Sequence, residues 1–436
     1  MIGTDALNRM ILLCRDYVAS ELSDVQIAQA FQQMRVLCVA DRTNLSCHSA
    51  QTALVTLVSL LSRMGMQVEL RIPEFAMCRA QPPFDGSEIR SALISASNRL
   101  LPHATIASAA EGNAVDVVFS LGFSEVDYRT VPVWRMSGAD WSGSINSAGG
   151  ERTPMWTTEW PIGGMVSAVL AANEAFKFAM RRLPLRQTSD QIFFEPATAC
   201  SWDFGALSLA TNGSIDLGRV DFISGGAITQ AVLYVLTRLP GAKMVGRVLD
   251  DDSTALSNLN RNMLSMVDDV DVSKVDVIVS RCSAHFPLDP VAQRFEPSRG
   301  TKIQLAPRVI VGVDNIPSRW AVQREARGWV GVGGTSHFSI SSSSHAMGGP
   351  CSGCLHPLDD PDQSNPIPTV SFVSFWAGLA TAVRLIREAL GSGYPAPRQH
   401  LWLSPLRLDQ RHAAIWSPVP PLRNCPVPCA ASRSVA

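Results

Sequence analysis

The chain holds 436 residues, and at roughly 100–200 residues per domain this length predicts two or three domains. The apolar fraction is 46% and the charged fraction 17%, which supplies sizeable cores and excludes a mostly disordered chain. The 37 Lys and Arg balance 38 Asp and Glu, which argues against nucleic-acid binding over a broad basic surface.

In chain order, the first strand-like run is Arg35–Ala40, bounded by Asp41. A helical pattern follows over Ser46–Met64, apolar at Ala53, Leu54, Leu57, Val58 and Leu61. Gln67–Ile72, Val115–Leu121 and Val131–Met136 are further strand candidates, and Gly163–Leu183 is a helix stopped by Pro184. The same order then recurs. Arg219–Ile223 is a strand, Ala227–Leu239 a helix, and Met244–Leu249, Arg308–Val313 and Trp329–Val332 are strands. Thr369–Leu390 is the closing helix, with Gly391 as its cap. Short apolar strands alternating with helices predict an α/β protein with mainly parallel sheets built from βαβ units. The boundary is expected near Leu183–Ser201, giving domains 1–195 and 196–436. Tyr394–Ala436 is rich in proline and is expected to be an irregular tail over the second domain.

The longest apolar runs, such as Ala53–Leu61, fall short of the roughly 20 residues a membrane helix needs. The opening residues do not have the order of a signal peptide. Ten cysteines are too sparse for a disulfide scaffold in a chain this long. They suit a reducing, cytoplasmic compartment with one cluster reserved for chemistry.

The turn after Arg219–Ile223 reads Ser224-Gly225-Gly226-Ala227-Ile228-Thr229. A Gly-rich turn here lets backbone amides approach phosphates at a helix N-terminus. Only Gly226 stands at its usual place, and Ser224 and Thr229 replace the outer glycines. The next strand ends in Asp250-Asp251-Asp252, where a carboxylate grips a ribose hydroxyl. Asn258 and Arg261 share one face of a helical turn, an amide donor beside a guanidinium fork that suits phosphate. Lys274 follows, and Asp314 ends the strand Arg308–Val313, a natural partner for Mg²⁺ beside phosphates.

The stretch DDDSTALSNLNRN, with Lys274 and Asp314 at matching distances, resembles the ThiF/MoeB/HesA-like and ubiquitin-activating adenylation domains. Asp250 and Asp252 fall on the two family carboxylates, Asn258 and Arg261 on the family asparagine and arginine, and Asn262 replaces the usual Gln. The resemblance covers Arg219 to Cys429. It implies two Rossmann-like ThiF-type domains and an ATP-dependent adenylyltransferase. The C-terminal carboxylate of a ubiquitin-like protein would attack the α-phosphorus of ATP. Gly225, Gly226, Asp250, Asp252 and Asn258 would bind the nucleotide, Arg261 and Lys274 would hold phosphates, and Asp314 would hold Mg²⁺. At the corresponding place the first half reads Asp41-Arg42-Thr43-Asn44-Leu45-Ser46, with no glycine loop and no Asp-x-Asp after its second strand. It is therefore expected to be degenerate and to bind no ATP. An inactive half followed by an active half is similar to the activating enzymes of bacterial ubiquitin-like conjugation operons, several of which act against phage. That implies a ubiquitin-conjugating-like enzyme as a further partner, and a homodimer is also allowed. An arginine of the N-terminal helix reaches ATP in the family, with Arg15, Arg9 and Arg35 as the candidates here. The alternatives are a sulfur-carrier adenylyltransferase of cofactor biosynthesis and an NAD(P)-binding oxidoreductase.

Cys351-Ser-Gly-Cys354 and Cys425-Pro-Val-Pro-Cys429 form two close pairs that suit structural Zn²⁺. They resemble the family's zinc knuckle, with one extra proline in the second pair. The loop Leu355–Thr369, where activating enzymes carry a thioester-forming cysteine, contains none. Cys354 is the nearest candidate and would then not be a zinc ligand. His337, His345 and His356 are weaker metal candidates. The run between His337 and His345 reads as a strand with solvated serines.

Overall fold

Each half of the chain builds one mixed sheet. The computed structural model describes residues 4–122, 131–147, 156–205, 214–296, 303–358, 367–410 and 413–433. The first sheet contains β1 (Arg35–Val39), β2 (Gln67–Arg71), β3 (Thr105–Ser108), β4 (Val117–Leu121), β5 (Val133–Ala139), β6 (Ser142–Ser147) and β7 (Ala199–Asp203). Their spatial order is β3-β2-β1-β4-β5-β6-β7, parallel through β5 and antiparallel beyond it. The second sheet contains β8 (Ile215–Ile223), β9 (Ala242–Leu249), β10 (Leu288–Val291), β11 (Arg308–Val311), β12 (Trp329–Ser336), β13 (Ser339–His345), β14 (His400–Leu403) and β15 (Ala414–Ser417). Its order, β10-β9-β8-β11-β12-β13-β14-β15, repeats the first and adds one edge strand. The protein is α/β with two mixed, mainly parallel sheets.

The repeat follows from burial. β4 and the end of β8 lie in sheet centres and are apolar on both faces, as parallel strands covered on both sides must be. The helices Ile162–Met180 and Ser371–Ala389 close the two halves at equivalent places. They pack with His48–Arg63 and Ala227–Leu236 into one core that runs across both sheets. Gly378 permits the closest of these approaches, since a Cβ there would lie 2.3 Å from Ala231 Cβ. Buried polar contacts also join the halves. Thr56 Oγ1 meets Tyr234 Oη at 3.1 Å, Arg238 Nη2 donates to Pro82 O at 2.6 Å, and Ser371 Oγ donates to Leu60 O at 3.0 Å.

Three expectations need revision. The first sheet runs past residue 195, because β7 is its edge strand, and the changeover lies between Asp203 and Ile215. Pro184 and Pro196 stop helical segments, but they do not stop the sheet. The proline-rich tail supplies β14 and β15, with Pro405 and Pro418 just outside the strands, where they cost no ladder bond. The serines of β13 are not all solvated, because that strand lies inside the sheet: Ser342 and Ser343 are buried, and Ser342 Oγ accepts from Arg384 Nε at 3.0 Å. His337 and His345 stand just before and at the end of β13, and His345 is buried between Ser343 Oγ and Pro350 O. Among the described residues, no helix is long and apolar enough to cross a membrane.

Candidate active site

The C-terminal ends of β8, β9 and β11 open into a cleft of about 280 Å³. This is the switch point of a doubly wound sheet, where strand ends diverge and leave room for a ligand. Ser224, Gly226, Asp250, Asp252, Asn258, Arg261, Asn262, Lys274 and Asp314 all line it. Gly225 sits just behind, where a Cβ would press on Lys274 Cβ at 3.1 Å and Ile278 Cδ1 at 3.3 Å.

Ser224 adopts φ +91°, a conformation that favours glycine, and its Oγ accepts the Gly226 amide at 3.0 Å. The serine tolerates the turn by supplying that local bond. Thr229 fits at the third glycine position because Gly312 faces it, where a Cβ would lie 3.2 Å from Thr229 Oγ1. Asp250 is buried and already holds the turn: Oδ2 accepts from Gly225 N at 2.6 Å and Oδ1 from Asp252 N at 2.8 Å. Its remaining lone pairs are what it can offer a ribose hydroxyl. Lys274, the first residue of the helix Lys274–Cys282, pairs with Asp252 and lies 3.8 Å from Asp250 Oδ1.

Of Arg9, Arg15 and Arg35, only Arg9, in the helix Thr4–Arg15, is at the cleft among the described residues. Arg9 lines the cleft, donates to Ile367 O at 3.4 Å, and its carbonyl accepts from Thr369 N at 3.2 Å. Arg15 is committed to Asp24 and Leu22 O, and Arg35 to Glu69 at 2.8 Å. Burial pulls the Arg261 guanidinium down to about 10; Arg9 pushes the same way, and Asp314 opposes both. Burial also lowers Arg9, again against Asp314. Neither arginine has a carboxylate in ion-pair contact among the described residues. Arg9, Arg261, Lys274 and Arg294 line the cleft against Asp250, Asp251, Asp252 and Asp314, a balanced set whose cations suit a polyphosphate and whose carboxylates suit an accompanying cation.

The first half differs at the equivalent turn after β1. Asp41 Oδ1 accepts from Asn44 N at 2.8 Å and from Asn44 Nδ2 at 3.0 Å, capping the short helix Arg42–Leu45. The Asn44 side chain then lies over the end of β4, where a Cβ on Gly122 would come within 2.8 Å of its Oδ1.

Cys351, Cys354, Cys425 and Cys429 converge, with their sulfurs all within 4.8 Å of one another. Sγ–Sγ distances are 3.4 Å for Cys351–Cys425, 3.7 Å for Cys354–Cys429 and 4.0 Å for Cys351–Cys354. Four sulfurs at about 2.3 Å from one Zn²⁺ stand about 3.8 Å apart, so the donor set fits the ion. Gly353 is required, because a Cβ there would meet Val427 Cγ2 at 2.8 Å and Cys425 Sγ at 3.1 Å. The extra proline, Pro428, leaves Cys429 within the group, and Arg324 Nη2 donates to Pro426 O at 2.7 Å. Cys354 is 4% exposed inside this group, and His356 lies outside it. Residues 359–366 of the loop toward the closing helix lie outside the described residues.

Sequence reasoning missed Arg63 and Gln230, buried residues behind the cleft, and Arg294, Phe295 and Thr335 on its walls. The only signal for Arg63 is a guanidinium inside the apolar run Leu60-Leu61-Ser62-Arg63-Met64.

No curated protein matches the chain. Among solved structures, E. coli MccB with MccA-N7isoASN shares 14% identity at a TM-score of 0.41, over 69% of this chain and 97% of that one. E. coli MccB with AMPCPP and SeMet MccA shares 14% identity at a TM-score of 0.38, over 62% and 91%. Residues 35–189 match the BilD N-terminal domain family.

Proposed function

We propose that this protein is an ATP-dependent adenylating enzyme that activates the C-terminal carboxylate of a ubiquitin-like protein. The observation that carries the reading is the pair Arg9 and Arg261, brought from the two halves of the chain to one cleft beside Asp314. The BilD match of the first half supports a bacterial ubiquitin-like system as the setting. Transfer to a ubiquitin-conjugating-like enzyme then follows adenylation.

The nucleophile is a carboxylate and is already ionised, so no general base is required. A carboxylate oxygen bonds to the α-phosphorus, the bond to the bridging oxygen breaks, and pyrophosphate leaves with that electron pair. The difficulty is bringing two anions together, which positioned cations overcome. Arg9 and Arg261 stabilise the charge on the phosphates, Lys274 stands by Asp250 and Asp252, and Asp250 orients the ribose. Asp314 would hold Mg²⁺, which supplies further neutralisation between phosphate oxygens. The four cysteines would hold structural Zn²⁺ and pin the tail, and Cys354 would then be a ligand rather than a thioester nucleophile.

Pyrophosphate–ATP exchange tests this. Label should enter ATP only with a ubiquitin-like protein bearing a free C-terminal carboxylate, and Arg261→Ala should abolish it. Exchange that does not need the partner, or that survives Arg261→Ala, overturns the reading.

A further inference from the structure

The first half of the chain reaches the segment that lines the cleft of the second. Arg63 is the last residue of the helix His48–Arg63 and has no accessible surface. Its guanidinium crosses into the second half and donates to Leu259 O at 2.5 Å, to Met263 O at 3.1 Å and to Ser265 O at 2.8 Å. Its Nε donates to Ser59 Oγ at 3.2 Å. No carboxylate pairs with it among the described residues, and burial draws it down to about 9. A buried guanidinium is costly to desolvate, and an apolar side chain would fill the same space more cheaply. What an apolar residue cannot do is hold three carbonyls in fixed relation. Those carbonyls belong to the segment that carries Arg261 and Asn262 and begins just after Asn258.

Gln230 extends the chain of bonds. Its Oε1 accepts from Leu264 N at 3.0 Å and from Ser265 N at 3.1 Å. Its Nε2 donates to Gly225 O at 3.2 Å and to Ser265 Oγ at 3.0 Å. The route Arg63, Ser265, Gln230, Gly225 therefore ties the first half to both the arginine-bearing segment and the glycine turn.

We infer that Arg63 and Gln230 are positioning residues that set the spacing between the glycine turn and Arg261, with the first half acting as the fixed reference. The inference rests on the adenylation reading for its kinetic consequence, but not for its structural one.

The test uses the full chain with Arg63→Lys, Arg63→Met and Gln230→Met, ATP–Mg²⁺ as the probe, and pyrophosphate exchange as the assay. Displacing a binding group by about 1 Å costs up to about a hundredfold, so Gln230→Met should raise the KM for ATP by about tenfold or more. The KM for the protein substrate should not move, and Arg63→Lys should be milder than Arg63→Met. A residue that only stabilises the fold would lower the active fraction, and so kcat, at unchanged KM for ATP; that result overturns the inference. Arg63→Met risks misfolding, whereas Gln230→Met cuts the same route without stranding a buried charge. Hydrogen exchange gives a readout free of ATP. Amides of residues 259–266 should exchange faster in Gln230→Met, while β8 and β11 keep their protection. If wild type binds no ATP, the adenylation reading fails, and the exchange result still decides the positioning claim. If wild type binds ATP and Gln230→Met leaves both KM and exchange unchanged, the positioning claim alone fails.

Discussion

Arg9 and Arg261 lie 252 positions apart in sequence and face the same aspartate, Asp314, across one cleft. One comes from the N-terminal helix and the other from a turn after β9. Burial lowers both arginines, Arg9 lowers Arg261 further, and Asp314 opposes the shift in each; on the adenylation reading, an incoming triphosphate would relieve that repulsion.

Removing either arginine should therefore damage the chemical step more than the fold. Arg9→Ala and Arg261→Ala should each lower pyrophosphate exchange by about a hundredfold, the scale of one lost transition-state donor. Arg15→Ala and Arg35→Ala should leave exchange near wild type, because Asp24 and Glu69 already occupy those side chains. Equal losses at Arg15 and Arg9 would contradict the assignment.

Ser224 at φ +91° offers a stability test. A non-glycine residue in that region costs of order 1–3 kcal/mol, and the bond from Gly226 N to Ser224 Oγ returns about 1 kcal/mol. Ser224→Gly should therefore stabilise the protein by about 1 kcal/mol, read as a higher denaturant midpoint at unchanged slope. A lower midpoint would mean that the hydroxyl contributes more than the strain removes.

The cysteine cluster should retain one zinc per chain through purification, by metal analysis. Cys425→Ser should lose that zinc and destabilise the tail, seen as faster exchange in β14 and β15, which lie in the same C-terminal segment. Zinc that stays in Cys425→Ser would remove this site from the account.

Buried histidines set an acid limit. Burial is the main cause that pulls His345 and His48 down from 6.5 to about 4. The unfolded chain then binds more protons than the folded one between those values. Stability is full above pH 6.5 and declines as pH falls toward 4. The loss is roughly 3 kcal/mol for a fully buried ring. His345→Asn should flatten the fall of the unfolding free energy with pH. An unchanged slope in that variant would show that other groups carry the acid loss.

Much of the fold was legible because strands and helices have distinct periods. The buried runs Arg35–Val39, Val117–Leu121 and Arg308–Val311 announce parallel central strands, and Pro184 marks the end of its helix region. β6, β7, β14 and β15 were not legible. They are short, β6 and β7 are rich in polar residues and β14 and β15 lie in the proline-rich tail, and they exist because a neighbour's ladder receives them; Ser144↔Ser201 and Trp402↔Ile415 are pairs that no local pattern encodes.

That Asp250, Asn258, Arg261, Lys274 and Asp314 share one cleft was legible in their spacing: Asp250 and Asp314 lie just beyond strands, Asn258 and Arg261 in the turns that follow β9, and Lys274 at the start of a helix. The choice of Arg9 over Arg15 and Arg35 was not. All three are arginines in or beside the N-terminal segment, and only the packing of the helix Thr4–Arg15 beside Ile367 and Thr369 decides which one lines the cleft. The convergence of four cysteines and the reach of Arg63 are likewise long-range facts. Sequence by itself determines which residues can do the chemistry, since hydrogen-bonding capacity and charge belong to side-chain type. Tertiary structure decides which of them meet, since burial and ion pairing remove the competitors.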